Sequence, residues 1–462
     1  MLLDAFRKEV PYCPYINTGT LFDLATGKYR QSTTGGWVLD GGLSQCLGIM
    51  GRAQTFKSSL AGSLLARALS VHPQAEAIVY ETEGAVASEE RYDDFVPQDS
   101  PVRERIVFHS ATDYNLTNFY DDFTEAVETK LKNKKDYMVE SPFLNPKTGK
   151  PYKIWIPTFI LVDSFSRART GKGEEQYGDT SIDDSALNSS WLVEGNFKSR
   201  IMSDMPTRAA KAGIYVIMTA HVGEKYILNP YAPNQKQLQY MKSTDKMKNV
   251  GSNFEFLTTT LLQTIRASVL QNKDKKCEYP THFSTDVEVN QVDTMMVRCK
   301  NNASGVQIPF IVSQYQGILD SVTNFNLLRT YKEYGLEIQG NKQAFAPLLT
   351  PEKFVRKSNL RELTEKDYEL RRALELLAEL CFVQNLWSTW KLPNYVHMAP
   401  EVLAEKLKNS QKCTISRALN STGVWSTSKL ERERLTLMDI LMMLDKEDTH
   451  PVTTIGTATT QK

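Results

Sequence analysis

Between residues 45 and 320, short apolar runs alternate with longer stretches of mixed polarity. Cys46-Leu47-Gly48-Ile49-Met50, Ala77-Ile78-Val79-Tyr80, Arg105-Ile106-Val107-Phe108, Phe159-Ile160-Leu161-Val162 and Ile214-Tyr215-Val216-Ile217-Met218 are the clearest of these runs. Unbroken apolar runs of this length, rich in β-branched residues, suit strands buried on both faces, and the stretches between them are long enough for crossover helices. The pattern predicts an α/β fold with a mostly parallel central sheet flanked by helices. Residues 1–40 read as a lead-in or oligomerisation segment with a hairpin turn at Ala25-Thr26-Gly27-Lys28, and residues 138–157 as an inserted hairpin turning at Asn145-Pro146-Lys147-Thr148-Gly149-Lys150.

After about residue 350 the apolar period lengthens to that of helices. Leu370, Ala373, Leu374, Leu377 and Cys381 share one helical face within Asp367–Leu386, and a similar pattern spans Ser428 to Leu444. The expected organisation is therefore a core over 41–345, a mainly helical C-terminal domain over 346–447 and a Thr-rich, disordered tail over 448–462. Pro400 to Leu407, followed by Ser416, Arg417 and Asn420, has the outline of a helix-turn-helix, although short helices joined by polar turns are far more often packing units.

Composition narrows the classes. The chain has 462 residues, 41% of them hydrophobic and 24% charged, which suits one large core with a smaller domain. No run of about 18 apolar residues occurs, and Asp4 interrupts the start where a secretory signal needs its apolar stretch. The expectation is a cytoplasmic protein with no membrane partner. Six scattered cysteines without a CxxC pair, and six histidines without an HExxH motif, indicate neither a disulfide frame nor a zinc site. A formal net charge of +1 means that any affinity for nucleic acid must come from local basic patches.

The most informative stretch is Gly51-Arg52-Ala53-Gln54-Thr55-Phe56-Lys57-Ser58-Ser59, which follows an apolar strand and opens a helix running through Leu69. It is a phosphate loop of the G-x-x-x-x-G-K-[ST] kind, with Phe56 in place of the second glycine. Backbone N–H groups and the helix N-terminus would cradle the phosphates of ATP, Lys57 would reach the β and γ oxygens, and the Ser58 hydroxyl would ligate Mg²⁺. Such a loop requires a second acid for the metal, and Asp163, ending Phe159-Ile160-Leu161-Val162, supplies it at the ligand edge of the sheet. Alone, Asp163 would equally read as a helix N-cap. Tyr80-Glu81-Thr82-Glu83-Gly84 puts two carboxylates past another strand, and one of them could orient or deprotonate an attacking water.

Taken in order, Gly35-Gly36-Trp37, the phosphate loop, Glu81-Thr82-Glu83-Gly84 and Val162-Asp163-Ser164 resemble the RecA/UvsX recombinase family. Phe56-Lys57-Ser58 resembles the phage UvsX branch, and the likeness covers roughly residues 33 to 320. The resemblance implies a RecA-type phosphate-loop core and a DNA-dependent ATPase that assembles as a homo-oligomer on single-stranded DNA, a filament rather than a ring. Such a protein would serve recombination and repair, here for a bacteriophage in its bacterial host's cytoplasm. It further implies that Glu83 activates water, that Lys57 and Ser58 hold phosphate and Mg²⁺ with Asp163 as the second acid, and that His221 senses the γ-phosphate. Lys300, within Met296-Val297-Arg298-Cys299-Lys300-Asn301-Asn302, would face the ATP of an adjacent subunit, while Asn302 stands where the family carries a second such lysine.

DNA would be met by two loops, about Ser166–Ser190 and Val222–Gly251. The first carries Arg167, Arg169 and Lys172; the second carries Lys225, Lys236, Lys242, Lys246 and Lys248 among Tyr226, Tyr231 and Tyr240. Cations for phosphates and aromatic faces for unstacked bases suit a single strand, whereas a lysine-rich loop elsewhere reads as solvated surface. Two other readings stay open: a RecA-fold hexameric helicase, and a non-hydrolysing DNA-binding accessory protein, the latter suggested by Phe56, His221 and Asn302.

Overall fold

From Tyr12 onward the lead-in is folded into the core. Helix α1 (Leu21–Thr26) is followed by an antiparallel hairpin of β1 (Lys28–Gln31) and β2 (Trp37–Asp40). The turn expected at Ala25–Lys28 is instead the end of α1, because the Thr20 hydroxyl caps the helix at Phe22 N and so commits these residues to it. The chain reverses later, at Ser32–Gly36, where Gly35 takes a φ of +80°.

The structure, a computed structural model, describes residues 12–82, 89–97, 100–110, 115–171, 186–225, 238–251, 253–282, 284–339, 344–389 and 391–449. It divides into two compact units. The first runs to Thr323 and includes the segment Val424–Leu430; the second comprises Asn324–Gly423 and the chain from Glu431 onward. The division falls ahead of the boundary at 345 read from the sequence.

Each apolar run is a strand of the first unit: β3 (Cys46–Gly51), β4 (Glu76–Glu81) and β5 (Ile106–His109), then, beyond the inserted hairpin of β6 (Met138–Leu144) and β7 (Pro151–Trp155), β8 (Thr158–Asp163) and β9 (Ile214–Glu224). β10 (Asp245–Met247), β11 (Thr260–Val269), β12 (Val289–Cys299), β13 (Gln307–Ser313) and β14 (Gly317–Ile318) complete a sheet of order β14-β13-β12-β11-β3-β9-β8-β4-β5, with β10 on β9. From β11 to β5 all neighbours are parallel; β12, β13, β14 and β10 join antiparallel. The chain is thus a mixed α/β fold with a large, mostly parallel central sheet flanked by helices. Among these are α2 (Lys57–Val71), the short α3 (Glu90–Asp93), α4 (Leu116–Lys132) and α5 (Ala186–Ala212). In α4, Asn115 caps Thr117 N and Asn118 N, and Leu116, Phe119, Phe123 and Val127 turn one buried stripe toward Tyr80, Ile160 and Val162.

Trp425 completes the first unit from far along the sequence. Its indole is fully buried, edge-on to His72 at 4.8 Å and to Phe143 at 5.1 Å between ring centroids, and its backbone N–H donates to Asn17 Oδ1 at 3.1 Å. The backbone N–H of Thr427 donates to His72 Nδ1 at 3.3 Å. Burial pushes the His72 imidazole from its ordinary 6.5 down to about 3, so the fold requires the neutral ring. A group with a depressed cationic pKa contributes stability above the unfolded value that is lost as pH falls toward the folded one. Chemical denaturation is therefore expected to show a loss of about 2 kcal/mol between pH 7 and 5 that a His72→Gln variant lacks. An equal loss in that variant would assign the effect to other groups.

In the second unit, Asp367 caps helix Tyr368–Leu386 at Leu370 N, in agreement with the apolar stripe of that stretch. The helix expected from Ser428 starts only at Leu437: the Thr436 hydroxyl accepts from Asp439 N while the Asp439 carboxylate accepts from Thr436 N and its hydroxyl, a reciprocal cap that fixes the start. The helix ends at Thr449, and the remainder of the Thr-rich tail lies outside the described residues. No helix among the described residues is long and apolar enough to cross a membrane.

Candidate functional site

Parallel strands bring their C-terminal ends to one edge, where open α/β sheets bind ligands. Register decides which residues meet there. Gly51 of β3 pairs with His221 of β9 and with Thr264 of β11, and Glu81 of β4 pairs with Asp163 of β8. Asp163 Oδ1 accepts the Thr219 hydroxyl at 2.5 Å, so the strand between β3 and β8 orients the acid. Thr82 holds the next peptide from both sides: its hydroxyl donates to Ser164 O at 2.9 Å and accepts from Ser164 N at 2.8 Å, and its N–H donates to Asp163 O at 2.8 Å.

The loop Gly51–Phe56 is sewn to β11. A Cβ on Gly51 would lie 1.9 Å from Thr264 Oγ1 and 2.7 Å from Thr55 Oγ1, which leaves room only for glycine. The Thr55 hydroxyl shares a 2.6 Å bond with Thr264 and donates to the Arg52 carbonyl at 2.7 Å. Lys57 Nζ donates to that same carbonyl at 3.0 Å, so the buried lysine is curled back over the loop. Arg52 reaches the other way, to Glu224 at 3.3 Å and Asp245 at 3.0 Å, where Gln263 also donates to Asp245 at 2.9 Å. Ala53 and Gln54 are exposed.

Phe56 precedes α2 at φ 61°, ψ 27°, the left-handed region in which the motif carries glycine, and makes no side-chain cap. That conformation costs a side-chain-bearing residue about 1–2 kcal/mol. It leaves the first-turn N–H groups of a 15-residue helix directed at whatever binds the loop, beside the exposed Ser58 hydroxyl.

Two further groups belong to this edge and escaped the sequence reading. Arg91 of α3 donates to the buried Ser59 hydroxyl at 3.3 Å, which puts a cation beside the first turn of α2. Tyr92 next to it has its phenol pushed up by burial and by the Asp163 and Glu81 carboxylates, with Arg91 opposing. Neither residue stands in a motif. Thr219 does carry a signal, as the polar position near the end of an otherwise apolar strand.

Other expected residues divide. Arg167 and Arg169 follow Asp163 and are exposed. The second basic loop is at its base a hairpin rather than an open loop, because β9 continues to Glu224 and pairs with β10, Lys246 opposite Gly223. Lys242, Lys246 and Lys248 are exposed, Lys225 is half-buried, and Tyr240 lies exposed against Gly305. Lys300 is not brought to this edge. It follows β12 where that strand pairs with the start of β11, which pairs in turn with Leu47 at the start of β3, the far end from Gly51. Asn302 is committed to structure, donating to Leu24 O at 3.1 Å and Gly27 O at 2.8 Å. Glu83, Lys172, Tyr226, Tyr231 and Lys236 lie outside the described residues.

No family model and no curated protein matches the chain.

Proposed function

We propose that this chain is a DNA-dependent ATPase on a RecA-type phosphate-loop core, working as a recombinase that assembles on single-stranded DNA. The observation that carries the reading is the register at the strand ends. Strand β9 lies between β3 and β8, with His221 opposite Gly51 and Thr219 bonded to Asp163, an arrangement that supports a γ-phosphate-sensing role for His221. The donors suit a nucleoside triphosphate. The first turn of α2 has no side-chain cap, Lys57 lies over the loop, and Arg91 flanks it. The exposed Ser58 hydroxyl and the Thr219-held Asp163 are hard oxygen donors of the kind Mg²⁺ takes. Mg²⁺ held by them would neutralise charge on the terminal phosphates.

The protein's own part is positioning. The loop N–H groups and Lys57 fix the phosphates and favour the negative charge that grows on the leaving oxygens. Glu83 would take up a proton from the attacking water, and His221 would report the γ-phosphate to the hairpin that bears Lys246 and Lys248. Arg167, Arg169 and the hairpin lysines supply the DNA-facing cations.

The test is ATP hydrolysis by the purified chain with and without single-stranded DNA, alongside Glu83→Gln. DNA should stimulate turnover, and Glu83→Gln should abolish it while keeping affinity for a fluorescent ATP analogue. A second reading, a non-hydrolysing accessory protein, is favoured by Asn302 being tied to Leu24 and Gly27; binding without turnover under every condition would select it. Closed rings in electron micrographs would select a hexameric helicase.

A further inference from the structure

Lys198 of α5 is buried, and its ammonium lies between two segments far apart in sequence. It donates to Asn249 O at 2.8 Å and to Ser166 O at 3.4 Å, and it stands 5.6 Å from the centroid of the Phe165 ring. Ser166 belongs to the segment that leaves Asp163 and carries Arg167 and Arg169. Asn249, held at φ 52°, belongs to the segment that returns from the hairpin with Lys246 and Lys248. Each segment is also bonded to His221 of β9: its N–H donates to Ser166 Oγ at 2.8 Å, and its carbonyl accepts from Lys248 N at 2.9 Å. Burying an ammonium is costly, and what this one provides is a charge-assisted donor to the carbonyls of two segments far apart in sequence.

We infer that Lys198 is a positioning residue that pins the two basic segments into one unit, so that a polynucleotide bound to their cations acts on Asp163 and His221 together. The polynucleotide part rests on the ATPase reading; the pin does not. Lys198 is faced by Glu194 from its own helix and by Arg169 from the first segment. Burial lowers the ammonium to about 8, with Glu194 opposing and Arg169 adding to the shift. The pin is therefore charged at neutral pH and is lost as pH rises through about 8.

Lys198→Met keeps the stem and deletes the donor. Hydrogen exchange read by mass spectrometry should show residues 164–169 and 246–250 losing protection together by about tenfold, with α2 unchanged and Lys198→Arg restoring most of the protection. In wild type, raising the pH from 7 to 9 should release the same two segments after correction for intrinsic rates, a series that decides the matter alone should the Met variant not fold. Unchanged protection, or release of one segment without the other, overturns the pin. Under the ATPase reading, Lys198→Met should also lose DNA stimulation of hydrolysis while its affinity for a fluorescent ATP analogue stays within about twofold of wild type, a difference of less than 0.5 kcal/mol. Joint release of the two segments in a wild-type protein that DNA does not stimulate would leave the pin standing and overturn the ATPase reading.

Discussion

Alanine at position 57 is expected to lower ATP turnover by about a hundredfold or more, the scale on which removal of one preorganised charge-stabilising donor acts. The Lys57 stem is buried and its ammonium bonds the Arg52 carbonyl at 3.0 Å, so the charge is already held within the loop before any phosphate arrives. Preorganisation of this kind acts mainly on the transition state, where charge on the γ-phosphoryl oxygens develops. The end of α2 and the loop N–H groups remain in the variant, so nucleotide affinity should fall less than kcat. Lys57→Arg should not rescue, because the lysine acts on phosphate oxygens as a compact point charge, which a bulkier planar guanidinium delivers in a different geometry. Steady-state kinetics with a parallel binding titration separate the two effects; wild-type turnover in Lys57→Ala would mean that Gly51–Ser59 is not a phosphate cradle.

Gly51→Ala should be the most damaging single methyl in the site. Its Cβ would fall 1.9 Å from Thr264 Oγ1, inside any tolerable contact, with Thr55 Oγ1 at 2.7 Å and Thr264 O at 3.0 Å as further obstacles. Either β11 or the loop has to move, and overpacking of this sort costs about 1–3 kcal/mol. Displacement of the loop carries Lys57 and the first turn of α2 with it, so nucleotide binding should weaken along with the thermal midpoint. Thr264→Ala removes the nearer obstacle, and the double variant should recover part of the lost stability. Independent, additive losses in that double-mutant cycle would show that the collision is not the cause.

The sheet's parallel half was legible because strands buried on both faces must be apolar throughout, and β3, β4, β5, β8 and β9 read that way. In its antiparallel half, β12 is broken by polar positions such as Asn290, Gln291, Asp293 and Thr294 and gave no comparable run. The glycine-led turn Gly51–Ser59 into a helix and the strand ending in Asp163 were legible as sequence patterns, and both lie at the C-terminal edge of the sheet. The groups that orient them were not. Thr82, Thr219 and Arg91 act through tertiary bonds, and a threonine in a strand looks the same whether or not a carboxylate faces it. The Ser428–Leu444 misreading has a similar source: the helix start is fixed by the Thr436–Asp439 cap and not by the apolar period, and just upstream the chain is tied down by Trp425, which fills a pocket between His72 and Phe143.

That pocket has a consequence for how the protein is made. A ribosome delivers the chain in order, and domains generally fold as they emerge. Here the sheet of the first unit can form once residue 323 is out, yet it stays without its indole plug, and without the Asn17 and His72 bonds that seat it, until synthesis has passed Leu430. The nascent unit therefore spends the whole translation of Asn324–Gly423 with an apolar pocket open to water, and its last closing step is the return of a strand of chain made long after the rest.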